Sequence, residues 1–299
     1  MAKAKEKPAN KLLTEKSDRE WNGDMKQEEK IGGVAETMLQ TLYARAKESK
    51  KPDHKIYDAK AVEIVERMDY DFTLADKDVA MSSGVVARTI VLDRMVADFI
   101  KQHPDTTVVN IACGMDTRFY RVDNGKIRWY NLDLPVTMDV RRRYISENER
   151  VKLIACSAMD EAWTDEVQTD SDHVLVIIEG LTMYLNAANV KQILTILDRK
   201  FARATVYMEI LNPLFVKKNV EKSIQASGAV FTWGAKSGAE VAQLHPAFRW
   251  AGDRSLVEGM EEIMPIYRVI GKIDFIRNLS NKISVLEKDK KSLAEEREL

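Results

Sequence analysis

Five short apolar segments alternate with helical segments in the middle third of the chain, and this alternation restricts the fold more than any other feature. The five strand candidates are residues 107–111, 127–132, 151–156, 174–178 and 204–210. Strands that alternate with helices pair in parallel, because each helix carries the chain back across the sheet. The pattern therefore predicts an α/β fold with a doubly wound, mostly parallel sheet.

The first of these strands ends in a turn of small residues. Ala112, Cys113 and Gly114 follow it directly, and the next strand is followed by an acid, Asp133. Small residues let a backbone approach a ligand closely, and an acid at the tip of the second strand can bind ribose hydroxyls. This arrangement predicts a nucleoside-binding site at the carboxyl ends of the strands.

The same turn argues against a dinucleotide. A dinucleotide-binding turn has the spacing Gly-x-Gly-x-x-Gly and holds a pyrophosphate at a helix N-terminus. Here Ala112 and Thr117 stand at the first and third glycine positions, and only Gly114 is retained. A nucleoside without phosphates, such as S-adenosylmethionine, fits better than NAD, so a nicotinamide-dependent oxidoreductase is the least favoured interpretation.

Composition and charge exclude several classes of protein. The 299 residues are 45% apolar, with 46 basic and 47 acidic side chains and a formal net charge of −1. Nucleic-acid binding usually needs a clustered basic excess, which this balance does not provide. The sequence has no apolar run near 18 residues, no secretory signal and no metal-ligand spacing among its cysteines and histidines. We therefore expect a cytoplasmic protein without a membrane, nucleic-acid or metal partner, and the oligomeric state stays open.

Periodicity divides the chain into four predicted segments. These are a polar segment at 1–30, an N-terminal helical cap at 31–105, a Rossmann-like domain at 106–287 and a charged tail at 288–299. Within the cap, the strongest helical pattern runs from about Val79 to Gln102.

After the fifth strand the alternation stops. Residues at about 212–245 are predicted to form a lid insertion over the carboxyl ends of the strands. Phe231, Trp233 and Trp250 could line an apolar substrate pocket there, although aromatic residues more often belong to a core. Residues 282–287 are predicted to form the last strand, paired with a weakly marked strand near 247–251.

Acids at the strand ends are the first candidate ligands. Asp133 is predicted to bind a ribose, and its alternative role is to stabilise the N-terminus of the helix that begins at Pro135. Glu179 follows the apolar strand at 174–178 and could face a sulfonium or ammonium group; the alternative is a salt bridge with a loop arginine. Gly180 beside it indicates close backbone approach.

Polar residues outside the strand ends allow two interpretations each. Arg88 lies at the edge of the apolar stripe of the 79–102 helix and could bind a carboxylate, although periodicity alone suggests a surface arginine. Thr117 is predicted to cap the short helix after the turn. Asp116 could do the same, or could reach the amino group of a ligand through water.

Three motifs, in order, resemble those of the leucine carboxyl methyltransferase family. They are residues 110–121, 132–135 and 179–185. Four further segments are similar to the bacterial and archaeal branch with polyketide-type O-methyltransferases of the tetracenomycin kind: 36–46, 56–61, 231–234 and 279–283. The resemblance covers roughly residues 36–287.

This resemblance implies a class I S-adenosylmethionine-dependent methyltransferase with a seven-stranded sheet, a helical cap and a lid after the fifth strand. It implies that Arg88 binds the cofactor carboxylate and that Glu179 lies near its amino group. The full set of implied cofactor-binding residues is Arg88, Ala112, Gly114, Asp116, Asp133, Leu134, Ser157, Ala158, Glu179 and Gly180. The chain departs from the family at Ala112, where glycine is usual, and at Ser157, where an aspartate often contacts adenine; Asp160 could share that contact.

The expected reaction is transfer of a methyl group from S-adenosylmethionine to a carboxylate or hydroxyl oxygen of a small molecule by in-line displacement, which leaves S-adenosylhomocysteine. The acceptor would be polyketide-like or a carboxylic acid. A carboxylate needs no general base, whereas a hydroxyl would be helped by Glu179, Tyr184 or His245. Tyr184 could instead orient the acceptor. Ala112 and Ser157 suggest the alternative, a nucleoside-binding regulatory protein that keeps the fold without turnover.

Overall fold

The computed structural model describes residues 27–28, 37–216 and 230–289. Its N-terminal part is mainly helical. In chain order the elements are β1 (Gln27–Glu28), α1 (Thr37–Ser49), α2 (Ala59–Arg67), β2 (Met68–Asp69), α3 (Thr73–Lys77) and α4 (Val79–Gln102). β1 and β2 pair in parallel, so residues 27–28 of the predicted polar segment form a short strand, and the rest of that segment lies outside the described residues.

Helix α4 occupies the residues that the apolar periodicity predicts. Asp78 caps its first turn by accepting a hydrogen bond from the backbone N–H of Met81. Leu92, Val96 and Phe99 are buried along one side. The helix ends before Pro104, because a proline disfavours helical backbone in the residue that precedes it.

The remaining elements build the sheet and its covering helices. They are β3 (Thr107–Ile111), α5 (Phe119–Val122), β4 (Arg128–Asp133), α6 (Pro135–Arg141), β5 (Val151–Ala155), α7 (Trp163–Glu166), β6 (Val174–Ile178), α8 (Ala187–Lys200), β7 (Ala204–Ile210), α9 (Gly238–Ala242), β8 (Arg249–Ser255), α10 (Val257–Ile263), α11 (Tyr267–Ile270), α12 (Asp274–Leu279) and β9 (Lys282–Lys288). Short 3₁₀ turns lie at Thr182–Tyr184 and Pro213–Phe215. Pro135 and the Asn186 cap of α8 lie where the sequence predicts them.

Seven strands form one sheet in the order β5-β4-β3-β6-β7-β9-β8. The first five are parallel, and β9 runs antiparallel to both β7 and β8. The predicted doubly wound, mostly parallel sheet of seven strands is thus confirmed. The predicted pairing of the last strand with one near 247–251 is confirmed by β8 and β9.

The order of the strands reverses between β3 and β6, and this position sets the site. Ile111 at the end of β3 lies opposite both Leu132 of β4 and Ile178 of β6. The residues that follow these three strand ends therefore emerge side by side. In open α/β sheets, ligands bind in the crevice at such a switch point.

The core lies on both faces of the sheet. Val176 and Ile178 of β6 pack on the face covered by α8, whereas Leu175 and Ile177 pack on the face covered by α4. A parallel strand buried on both faces is apolar throughout, which explains why residues 174–178 carry no polar side chain. Among the described residues, no helix combines the length and apolar character needed to cross a bilayer.

The predicted charged tail and the predicted lid are described only in part. The sequence analysis placed Lys288 at the start of the charged tail, but it is the last residue of β9. Its buried ammonium group donates to the carbonyl oxygens of Asp198 and Phe201, each at 2.5 Å. Residues 290–299 lie outside the described residues. Of the predicted lid, 217–229 also lies outside them, and its described part includes α9, which packs against β8 and β9.

Candidate active site

A cavity of about 270 Å³ lies at the carboxyl ends of β3, β4, β5 and β6. The structure brings to this one cavity every residue that the sequence analysis assigned to cofactor binding, together with Tyr184. They are Arg88, Ala112, Gly114, Asp116, Asp133, Leu134, Ser157, Ala158, Glu179, Gly180 and Tyr184. Their individual roles stay predictions.

The turn after β3 keeps a left-handed backbone conformation despite its alanine. Ala112 has φ of 53° and Gly114 has φ of 48°, and Ala112 is the non-glycine residue with positive φ in the described part of the chain. A side chain in this conformation costs about 1–2 kcal/mol. A Cβ atom at Gly114 would lie 3.0 Å from the Cβ of Met38, so glycine there lets α1 lie against the turn.

Asp133 stands between this turn and the start of α6. Its carboxylate accepts hydrogen bonds from the backbone N–H of Gly114 (2.8 Å) and of Leu134 (2.7 Å), and it interacts with Thr137. Burial raises the pKa of the Asp133 carboxyl group. Because a carboxylate offers about four lone-pair positions, Asp133 keeps the capacity to accept a hydrogen bond from a ligand hydroxyl.

Glu179 forms ion pairs with two arginines. Its carboxylate lies 2.6 Å from Nε of Arg88 and 2.7 Å from Nη2 of Arg118. Burial alone would raise the pKa of Glu179, but the two guanidinium groups hold it below its usual value. The salt-bridge alternative for Glu179 is therefore present in the structure, and the side chain also lines the cavity.

Arg118 is one of the charged residues that the sequence analysis did not assign. It is 1% exposed and pairs with the carboxylates of Asp93 (2.7 Å), Asp116 (2.8 Å) and Glu179 (2.7 Å). Burial disfavours its charge, yet the three acids raise the pKa of Arg118 overall. The available signal was its place between Asp116 and Arg121, in the segment directly after the turn of small residues.

Thr117 corrects one prediction. It does not cap the short helix, because α5 begins at Phe119 without a side-chain cap. Instead its hydroxyl donates to the carboxylate of Asp58 at 2.5 Å. Asp58 also accepts from Arg121 (2.6 Å) and Arg45 (3.0 Å) and is fully buried. This cluster joins the N-terminal helices to the turn of the sheet.

Glu209 was also missed. It lies near the end of β7, is 1% exposed, and accepts from the backbone N–H of Gly180 (2.9 Å), from Arg88 (2.9 Å) and from Asn281 (3.3 Å). A single acid inside an otherwise apolar strand pattern was the signal that could have found it, because buried acids need partners.

Several candidates lie elsewhere. Asp160 is exposed and accepts from the backbone N–H of Ala162, so it does not share the cavity with Ser157. His245 lies 3.8 Å from Asp198 and does not line the cavity, which removes it as a candidate base.

The three aromatic residues also separate. Trp233 packs against the main core, and Trp250 is 46% exposed with its indole N–H bonded to Asp253. Neither lines the cavity, and only Phe231 of the three reaches the adjoining space. The pocket alternative is therefore wrong for the two tryptophans, whereas the core alternative is confirmed for Trp233.

The cavity combines carboxylates, guanidinium groups and apolar walls. Asp133 and Glu179 offer hydrogen-bond acceptors, and Arg88 and Arg45 offer planar cations. Leu134 and Met159 contribute apolar surface. This donor set matches the chemistry of a nucleoside that carries an amino-acid group, since such a ligand presents hydroxyls, an ammonium group and a carboxylate.

Known proteins of similar sequence fall in one functional class. A sequence model of the family described as leucine carboxyl methyltransferase matches residues 38–198. The chain is 30% identical over 249 residues to the tetracenomycin polyketide synthesis O-methyltransferase TcmP of Streptomyces glaucescens, with 81% of this chain and 91% of that protein covered. It is 28% identical over 243 residues to the S-adenosyl-L-methionine-dependent methyltransferase dpfgK of Gibberella zeae, which covers 74% of this chain and 81% of that protein.

Solved structures with a similar chain trace include two methyltransferases. One is the geranyl diphosphate C-methyltransferase from Streptomyces coelicolor A3(2), with a TM-score of 0.44, 14% identity, and coverage of 84% of this chain and 97% of that chain. The other is the magnesium protoporphyrin IX methyltransferase from Synechocystis PCC 6803, with a TM-score of 0.46, 8% identity, and the same coverage of 84% and 97%.

Proposed function

Because the chain belongs to the leucine carboxyl methyltransferase family, it is an S-adenosylmethionine-dependent methyltransferase, and we propose that it methylates an oxygen atom of a small molecule. The acceptor oxygen belongs to a carboxylate or a hydroxyl group. The name of TcmP, an O-methyltransferase of polyketide synthesis, supports the oxygen and a polyketide-like acceptor. The family description, leucine carboxyl methyltransferase, supports a carboxylic acid instead.

The observation that carries this proposal is the convergence of the strand-end residues on one cavity. In our assignment Asp133 binds the ribose, Arg88 the cofactor carboxylate and Glu179 its ammonium group. Ser157 and Ala158 lie on the adenine side. When bound, the cofactor supplies a methyl group that its positively charged sulfur has already activated.

The work of the protein is then mainly positioning. Arg88 and Arg118 keep the pKa of Glu179 below its usual value, so at neutral pH this carboxylate stays ionised and serves as a fixed negative charge rather than a proton acceptor. Tyr184, which lines the cavity, is proposed to orient the acceptor oxygen. A carboxylate acceptor suits such a site, since it arrives deprotonated and needs no base.

Cofactor binding is the first test. We expect calorimetry to show binding of S-adenosylhomocysteine with micromolar affinity and no comparable binding of NAD. Asp133→Ala should weaken the binding of S-adenosylhomocysteine by at least about tenfold, a typical loss when a charged hydrogen-bond partner is removed. Asp160→Ala is the matched control, because this exposed aspartate lies outside the cavity. Equal affinity in the wild type and Asp133→Ala would refute the assigned site.

Methyl transfer is the second test. The protein is incubated with S-adenosylmethionine labelled on the methyl group and with a panel of phenols and carboxylic acids. A methyl ester releases labelled methanol in mild base, whereas a methyl ether does not, so the product identifies the acceptor oxygen. Binding of the cofactor without transfer to any acceptor would favour the regulatory alternative.

A further inference from the structure

A second and larger space adjoins the cofactor cavity. It is an apolar groove of about 880 Å³ between the start of α4 and the segment that holds α10, α11 and α12. Leu211, Phe231, Val257 and Leu279 are among the apolar residues that line it. In the described part of the chain its charged lining residues are Lys77 and Asp78, at the beginning of α4.

A third and smaller cavity, here called the throat, lies between the groove and the cofactor cavity and shares lining residues with both. This throat of about 120 Å³ shares Arg88 and Tyr184 with the cofactor cavity and shares Gly84 and Phe231 with the groove. The buried carboxylate of Glu209 also lines it. A molecule in the groove can therefore present one end to the cofactor cavity while its body stays in apolar surroundings.

Gly84 stands at the junction of throat and groove. It lies inside α4, where glycine is a poor helix former, and it is exposed and lines both spaces. A Cβ atom built on Gly84 meets no atom within 4 Å, whereas one on Gly259 of the neighbouring helix α10 would lie 2.2 Å from the carbonyl oxygen of Ala87. Packing thus explains the glycine at 259 and does not explain the one at 84.

We propose that the groove binds the uncharged, apolar ring body of the acceptor while the reactive oxygen reaches the cofactor cavity through the throat, and that Gly84 determines how bulky this acceptor can be. The proposal rests on the proposed methyl transfer. Apolar walls with few polar groups are typical of sites that bind ring compounds. The groove exceeds the cofactor cavity in volume, 880 Å³ against 270 Å³, so it accommodates a body of several rings.

The experiment measures the binding of two probes, 2-naphthol and 2-naphthoic acid, to the protein saturated with S-adenosylhomocysteine. Gly84→Phe fills the junction, and Gly84→Ala is its matched control because the added carbon meets no neighbour. We expect Gly84→Phe to weaken the binding of both probes by at least about tenfold, and Gly84→Ala to change their affinities by less than about threefold. Affinity for S-adenosylhomocysteine should stay the same in both variants.

A second variant guards against a folding defect in Gly84→Phe. Val79 lines the groove and is 63% exposed, so Val79→Glu should fold normally and place a negative charge at the apolar surface. We expect it to weaken 2-naphthoate more than 2-naphthol. Unchanged probe affinity in both Gly84→Phe and Val79→Glu, or no binding of either probe to the wild type, would overturn the proposal. Loss of S-adenosylhomocysteine binding in the wild type would instead refute the proposed function.

Discussion

The cofactor cavity and the apolar groove lie side by side but are built in opposite ways. Around the cofactor cavity, arginines and acids form continuous buried ion pairs, as Arg118 does with Asp93, Asp116 and Glu179. The groove is walled by half-buried apolar side chains such as Met260 and Leu279. One region is fixed by directional contacts, and the other can adapt its shape.

The difference fits the ligands that we propose for the two regions. A cofactor is the same in every reaction cycle, so a rigid polar frame with defined hydrogen-bond geometry is favourable. Acceptors differ between related enzymes, and non-directional apolar contacts adjust to new shapes more readily. The comparison predicts that substitutions on the polar side mainly affect stability, and those on the apolar side mainly affect acceptor binding.

The largest effect should follow from removing the central cation. Arg118→Met leaves three largely buried carboxylates without their shared partner, and we expect a loss of about 3–5 kcal/mol in the free energy of unfolding. Urea denaturation measures it. Arg94→Met is the control, since Arg94 is 59% exposed and pairs with Glu262, and it should cost less than about 1 kcal/mol. Similar losses for both would mean that the buried ion pairs do not hold this side of the molecule.

A somewhat smaller effect, with a pH signature, is expected at Asp58. Burial alone would raise the pKa of Asp58, but Arg121 and Arg45 lower it below its ordinary value. The ionised form therefore stabilises the fold above the pKa of the unfolded chain, and this contribution is lost as the pH falls through the folded-state pKa. Asp58→Asn should cost about 3 kcal/mol at pH 7. The difference from wild type should shrink below about pH 4, as measured by urea denaturation across this range; a difference independent of pH contradicts the prediction.

On the apolar side we expect a modest loss of stability. Leu279→Ala removes part of a half-buried groove wall, which should lower the free energy of unfolding by about 1–2 kcal/mol. Calorimetry should find unchanged affinity for S-adenosylhomocysteine and weaker binding of 2-naphthol. A weakened cofactor affinity would show that the two regions are not energetically separate.

The smallest expected effect is an increase in stability. Ala112→Gly relieves a left-handed alanine at φ of 53°, and we expect it to raise the free energy of unfolding by about 0.5–1 kcal/mol after the greater entropy of unfolded glycine is counted. The affinity for S-adenosylhomocysteine should be retained. A decrease in stability would indicate that the methyl group of Ala112 makes packing contacts that outweigh the backbone strain.

The sequence reveals the parts of the molecule that depend on local patterns. The five parallel strands, the turn at 112–114 and the acids at strand ends all follow from residues that are adjacent in the chain. Sequence patterns did not identify Arg118, Asp58 and Glu209 because most of their partners are distant in the chain. Glu209, for example, binds Arg88, which is 121 positions away. A charged side chain in the sequence looks the same whether it will face water or a buried partner.

The sequence did not predict the groove for a different reason. Its walls come from the start of α4, from Leu211 and Phe231 on either side of residues 217–229, and from the segment before β9. No spacing within one element marks such a surface, because each apolar residue there also fits a core. The two tryptophans at 233 and 250 show how readily that ambiguity misleads.

The buried cluster at Asp58 also sets an order of events during synthesis. Arg45 and Asp58 leave the ribosome well before Thr117 and Arg121, which are 59 and 63 residues beyond Asp58, and before the carbonyl of Met115 that Arg45 binds. Until those residues have emerged and the glycine turn has formed, Asp58 and Arg45 lack most of the partners that they have in the folded protein. We therefore expect the N-terminal helices to complete their docking after the first strands, and a nascent chain that stops before residue 115 to leave their docking surfaces exposed.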